Sequence, residues 1–195
     1  RYIGDWSSDV CSSDLDFDRV AAQGGSIRIY ISHPGKFKVN YNKINKLIST
    51  EEKIGMFKKK LYKNYNKRIN KVKIELSKIF LNYKKNKINC IGYGAPAKLT
   101  TFSYVLNLKK NYFHAIVDDS IYKQKLLTPG RKIKIISFDD LKKYEFDTIL
   151  IFAWNFSESI IFKLKKFYKN KKIIIPFPNV KDRKSTRLNS SHRCI

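Results

Sequence analysis

The sequence predicts an α/β protein with a Rossmann-like, mostly parallel sheet and flanking helices, preceded by a strand and a long amphipathic helix. Three observations carry this. Short apolar, β-branched runs alternate with helical patterns through the second half of the chain. That alternation implies parallel strands joined by crossovers. A glycine turn, Gly92-Tyr-Gly94, stands where a strand should pass into a helix.

In chain order, Ser26-Ile-Arg-Ile-Tyr-Ile-Ser32 alternates apolar and polar residues and reads as a strand, entered from Gly24-Gly25 and ended by His33-Pro34-Gly35. Ser49 with Glu52 three residues on is the pattern of a helix start. From Tyr62 the positions Tyr65, Ile69, Val72, Leu76, Ile79 and Tyr83 follow in steps of three and four, one stripe along a long helix. Lys87–Ile91 is the next strand, and a helix should run from Ala97 to Leu108. Tyr112–Val117 is a strand ending at Asp118-Asp119, and Lys132–Ile136 is another. Ser137 with Asp140 caps a short helix. Asp147–Ala153 is a buried type of strand, and Asn155 with Glu158 opens a helix faced by Phe156, Ile160, Ile161, Leu164 and Phe167. Lys172–Ile175 closes the series before Pro176-Phe-Pro178.

The two ends read differently. Asp5–Leu15 and Asp182–His192 carry no apolar periodicity, and with suitable codons one is the reverse complement of the other. Both are expected to be translations of a sequencing adapter read from opposite strands. The expected organisation is therefore a non-native tail over 1–15, a strand and helical lead-in over 16–85, the Rossmann-like domain over 86–181, and a second tail over 182–195. Cys11 and Cys194 then drop out, and Cys90 is the cysteine left to reason about. It offers neither a disulfide framework nor a zinc set, which fits a reducing, cytoplasmic setting. No apolar run approaches the ~18 residues of a membrane span.

The net charge of +25 invites a nucleic-acid partner, because Lys and Arg neutralise phosphates. The excess is nearly all Lys, scattered through every segment and accompanied by Asn, Ile and Tyr, as A/T-rich codons produce. Arg, which reads phosphate and guanine bidentately, is confined between the tails to Arg19, Arg28, Arg68 and Arg131. No nucleic-acid partner is expected.

Chemistry concentrates at the glycine turn. Gly92-Tyr93-Gly94-Ala-Pro-Ala97 lies between strand and helix, where backbone N–H groups and a helix dipole accept phosphate. Asp118 ends the following strand at about the ~20-residue distance expected of a ribose-binding acid. A tight turn kept for packing accounts for the same residues. Trp154 and Asn155 follow the carboxyl end of a strand, where open α/β sheets bind ligands, although Asn155 also suits a helix cap. His114 reads as a packed strand residue, Cys90 as an inert core thiol, and His33 is open between the two kinds of role.

Longer signatures add to this: Gly24-Gly25-Ser26-Ile-Arg28-Ile-Tyr30, Gly92 to Lys98, Val117-Asp118 with Lys123-Gln124, Thr128-Pro-Gly130, Ala153-Trp154-Asn155 and Ile175-Pro-Phe-Pro178. In that order and spacing they resemble the carboxy-terminal domain of the S-adenosylmethionine-dependent C-methyltransferases of nucleotide-linked deoxysugars. The resemblance implies a three-part protein, with zinc in an amino-terminal domain, S-adenosylmethionine in a central one, and this domain helping to bind the nucleotide sugar. It implies substrate contacts from Gly24, Gly25, Ser26, Arg28, Gly92, Tyr93, Gly94, Lys98, Asp118, Trp154 and Asn155. The family's catalytic Tyr-x-Glu-His segment has no counterpart here, so no catalytic residue is carried over and no bound cofactor or metal is expected. Leu99 stands where the family has Gly. Two other readings compete: a stand-alone NAD- or nucleotide-binding domain built on the glycine turn and Asp118, and a basic nucleic-acid module.

Overall fold

The computed structural model describes residues 13–184. The chain divides into two compact units, 1–65 and 66–195. The division falls inside a helix rather than near Lys85. From Val72 onward the helix stripe packs with the core of the second unit, so that part of the helix belongs to it.

The first unit is a hairpin with a helix. Strands β1 (Ser13–Val20) and β2 (Ser26–Ser32) pair antiparallel, with a bulge between Asp14 and Asp16. Helix α1 (Tyr41–Ile54) is capped by Asn40, whose side chain accepts from the Lys43 N–H. The helix therefore begins well before Ser49, which lies in its interior, and Gly55 in the left-handed conformation ends it. Lys43 Nζ joins it to the hairpin, 2.9 Å from Asp16 and 3.1 Å from Asp18. Lys43 holds the Asp16 carboxyl below the usual carboxylate range, and the Tyr30 hydroxyl, which donates to Asp18 Oδ2 at 2.8 Å, followed by Lys43, does the same for Asp18. β1 was not visible as a strand in the sequence, and its first residues lie in the stretch read as a tail.

The second unit holds a six-stranded sheet. Helix α2 (Lys59–Lys85) leads into β3 (Cys90–Tyr93), α3 (Lys98–Val105), β4 (Ile116–Val117), β5 (Ile135–Ile136), β6 (Thr148–Ile151), α4 (Ser157–Phe167), β7 (Lys172–Ile175) and β8 (Lys181–Lys184). The order is β5-β4-β3-β6-β7-β8, parallel except for β8, which runs antiparallel to β7. β8 is wholly polar and enters the other stretch read as a tail. An edge strand needs only backbone pairing, helped here by the Lys172–Asp182 ion pair at 2.8 Å. The remaining residues of both tails lie outside the described ones.

The period of two along each strand builds two cores. Cys90, Ile116, Leu150, Phe152 and Ile174 meet Val72, Leu76, Phe80 and Tyr83 of α2 and Leu99 of α3 on one face. Ile91, Tyr93, Val117, Ile149, Ile151 and Ile173 meet Ile160, Ile161 and Leu164 of α4 on the other. Leu99 is thus a core residue. Tyr62 and Tyr65, the start of the predicted stripe, are exposed.

Candidate functional site

β3 and β6 are neighbours from which the chain departs in opposite directions across the sheet, β4 and β5 lying beyond one and β7 and β8 beyond the other. Ligands of open α/β sheets bind at such a switch point, beyond the carboxyl ends of the strands. The glycine turn follows β3, and Ala153-Trp154 follows β6, so both predicted segments lie there.

Packing explains the two glycines. A Cβ on Gly92 would stand 2.7 Å from Phe152 Cε2 and 2.8 Å from Ile116 Cγ1. One on Gly94 would stand 2.6 Å from Ala153 Cβ, and Gly94 also has φ +89°, a conformation a side chain resists. The turn thereby brings its backbone against the end of β6. Tyr93, between them, is buried among the α4-side residues, with its hydroxyl 3.1 Å from both carboxylate oxygens of Asp119. Burial, then the Asp119 charge, pushes the phenol's pKa up.

Asp118 is turned into the turn. Its Oδ2 accepts from the Ala95 N–H at 2.6 Å and its Oδ1 from the Ser120 N–H at 2.9 Å. Lys123 Nζ closes the arrangement, 3.1 Å from the Ala95 carbonyl oxygen and 3.5 Å from Asp118 Oδ2. Leu99 and Thr100 donate back to the carbonyls of Pro96 and Ala97. The turn therefore keeps fewer open backbone donors than its sequence suggests. Ala95 is taken by Asp118 and Pro96 has no N–H, which leaves Ala97 and Lys98.

Lys98 supplies the charge at this edge. Its Nζ lies 3.9 Å from the centroid of the Trp154 ring, and desolvation by burial lowers its pKa. Among the described residues, no carboxylate lies within ion-pair distance of it. Phe102 and Phe177 flank Trp154 at 5.1 and 5.5 Å between centroids. Lys98, Trp154, Phe102 and Phe177 thus form an aromatic platform with a cation over it. Phe102 and Phe177 were not singled out from sequence, although Phe177 lies in the quoted Ile175–Pro178 motif. Asn155 is exposed, in a short 3-10 turn (Trp154–Phe156) ahead of α4, whose cap position is Phe156 without a side-chain cap bond. The 3-10 turn thus stands between Asn155 and the first residue of α4, Ser157.

The remaining predicted residues belong to the first unit. Gly24 and Gly25 turn the chain between β1 and β2 with φ of +85° and +122°, and Ser26 Oγ donates to the Ala22 carbonyl at 2.9 Å. Arg28 is exposed and stands across from Asp18 in the hairpin register. His33 is exposed at the end of β2. His114 is also exposed, not packed, because β4 begins two residues later, and its Nε2 is 2.9 Å from Asn89 Oδ1. Cys90 is buried, and burial raises its pKa far above the usual thiol range, as an inert core thiol requires. Among the described residues, no three of His, Cys, Asp and Glu come together as a metal-ligand set. No helix among them is long and apolar enough to cross a membrane.

A six-stranded, mostly parallel sheet of this order, flanked by helices and with a glycine turn at its switch point, defines a Rossmann-like α/β domain. The chain belongs to the C-methyltransferase C-terminal domain family, which matches residues 21–178. It is also similar to the C-methyltransferase NovU of Streptomyces niveus, with 23% identity over 165 residues, 84% of this chain and 39% of that protein. The chain thus spans about two fifths of the length of that curated relative.

Proposed function

We propose that this chain supplies the sugar-nucleotide-binding part of a methyltransferase that methylates a carbon of a nucleotide-linked keto-deoxysugar. The observation that carries the reading is Lys98 over Trp154 at the β3/β6 switch point. A lysine beside the two remaining amides, Ala97 and Lys98, suits a diphosphate, and the ring cluster suits the apolar face of a sugar or base. In this reading S-adenosylmethionine is the methyl donor, and it and zinc are held by other domains of a longer cytoplasmic protein. This chain alone binds neither and transfers no methyl group. The partner is a nucleotide sugar, not a nucleic acid. The competing dinucleotide reading is weakened by Asp118, whose carboxylate is engaged within the turn.

Calorimetric titration at fixed, moderate salt tests this, since a chain of +25 attracts polyanions nonspecifically. Nucleoside diphosphates and their sugar conjugates should bind more tightly than mononucleotides or NAD. Lys98→Ala should weaken that binding by about 1–3 kcal/mol. S-adenosylmethionine should give no specific heat. Equal binding by the parent and Lys98→Ala, or micromolar affinity for S-adenosylmethionine, contradicts the reading. Gly94→Val does not probe ligand approach, because its side chain would strike Ala153 first.

A further inference from the structure

Helix α3 carries Lys98 and Phe102 to the platform, yet it is poorly equipped to hold itself in place. It has eight residues, and no side chain caps its first turn. A helix that short has little stability of its own. Its position is set by what grips its two ends.

The segment between β4 and β5 grips both. At the amino end, both backbone polar groups of Ala95 are taken. Asp118 Oδ2 accepts its N–H at 2.6 Å, and Lys123 Nζ donates to its carbonyl oxygen at 3.1 Å. The two side chains also meet each other at 3.5 Å, so an ion pair closes around one residue of the glycine turn. The pair is anchored in its turn. The Ser120 N–H donates to Asp118 Oδ1 at 2.9 Å, and Gln124 Nε2 donates to the Asp118 carbonyl oxygen at 3.1 Å. The Asp118 side chain is 11% exposed, and partial exclusion of water strengthens its bonds.

At the carboxyl end, Arg131 Nη2 donates to the Ser103 carbonyl oxygen at 3.2 Å, and its guanidinium lies 4.4 Å from the centre of the Tyr104 ring. Gly130 lets the chain pass there, since a Cβ would stand 2.5 Å from the Tyr104 hydroxyl oxygen. Lys123, Gln124 and Gly130 belong to sequence motifs that the switch-point platform does not use.

The two grips differ in what they reach. Arg131 holds residues beyond those that meet Trp154. The Asp118–Lys123 pair acts on the backbone that leads into Lys98. Leu99 and Thr100 are bonded back to Pro96 and Ala97, so a shift of Ala95 is passed on to Lys98 and its 3.9 Å contact with Trp154.

We infer that Asp118 and Lys123 are positioning residues: they fix Ala95, and through it set the Lys98 ammonium over Trp154 with the Ala97 and Lys98 amides beside it. Neither side chain touches the ligand. Asp118 serves the site through the turn instead of by a substrate contact. The inference rests on the proposed function for the use made of Lys98, but not for its placement.

The test uses the full chain with Trp6→Phe, which leaves Trp154 as its one indole. Two quantities are read: Trp154 emission without ligand, and calorimetric binding of inorganic pyrophosphate at moderate salt. Lys98→Gln should alter the emission, because it removes a cation held against the ring. Lys123→Met should alter it in the same direction, and the double variant should go no further than Lys98→Gln alone. Pyrophosphate should bind Lys123→Met about tenfold more weakly than the parent, and the double variant no more weakly than Lys98→Gln. Lys123→Arg, which keeps a cation able to span two oxygens, should restore both readouts. Asp118→Ala should follow Lys123→Met; if that buried change unfolds the chain, the Lys123 series decides, since its side chain is 43% exposed. Lys163→Met removes an equal charge from the ion pair with Asp119 and should leave both readouts at the parent level.

An emission that Lys98→Gln leaves unchanged, full additivity of Lys98→Gln and Lys123→Met, no recovery in Lys123→Arg, or an equal loss in Lys163→Met overturns the inference. If emission couples Lys123 to Lys98 while pyrophosphate does not bind, the positioning stands and the proposed function falls. If pyrophosphate binding depends on Lys98 but ignores Lys123, the proposed function stands and the positioning falls.

Discussion

Strands β2 and β3 make an instructive pair. Both are rich in isoleucine or other apolar residues, and both carry or adjoin a pair of glycines that the family resemblance links to substrate. Yet β2 is exposed at each of its five central residues, while β3 is buried along its whole length. The difference lies in neighbours. β2 has one partner strand in its hairpin, whereas β3 lies inside a six-stranded sheet with a core on each face. A two-stranded hairpin in water is marginal, and a central parallel strand is covered on both sides. Alternation of residue types identifies a strand but does not say how much of it is removed from water.

The contrast sets the size of mutational effects. Leu76→Ala should be the most costly, about 2–5 kcal/mol, because that side chain is fully buried between α2 and the sheet. Gly92→Val should follow at about 1–3 kcal/mol or more, since its side chain must displace Phe152 and Ile116. Denaturant unfolding followed by circular dichroism measures both. Ile29→Thr in the hairpin, at a residue 44% exposed, should stay within about 0.5 kcal/mol. If it cost as much as Leu76→Ala, the hairpin would bury more than its exposure indicates.

The same contrast marks how far the sequence was legible. The strand series, the glycine turn, the end of β6 and the stripe from Ile69 to Tyr83 could be read, because each has a periodicity or a turn signature of its own. Ser49 and Glu52 misled because a capping pattern inside a good helical run is overridden; Asn40, with its bond to the Lys43 N–H, starts the helix. β8 was invisible because an edge strand of Lys, Asp and Arg pairs through its backbone. The inward turn of Asp118 and outward turn of Asp119 could not be told apart either. Two adjacent acids at a strand end look alike until the Ala95 N–H and Lys163 take different partners.

At the candidate site, charge should be sensitive to pH in a defined direction. Burial lowers the Lys98 pKa, so its cation is complete below the lowered value and is lost as pH rises through it. Diphosphate binding should therefore weaken at a lower pH than the ~10.4 of an ordinary lysine implies. Affinity measured across alkaline pH, for the parent against Lys98→Arg, separates this from general loss of positive charge. The arginine variant should hold its affinity further into the alkaline range, because guanidinium stays protonated.

Trp154 reports the central claim directly. The sequence has one other tryptophan, Trp6, so in a Trp6→Phe chain the indole fluorescence comes from Trp154 alone. Titration with a nucleoside diphosphate sugar at moderate salt should produce a saturable change in that emission. Adding Lys98→Gln should shift the midpoint to at least about tenfold higher ligand. An emission that does not respond, or a midpoint that Lys98→Gln leaves in place, would contradict binding at the β3/β6 switch point.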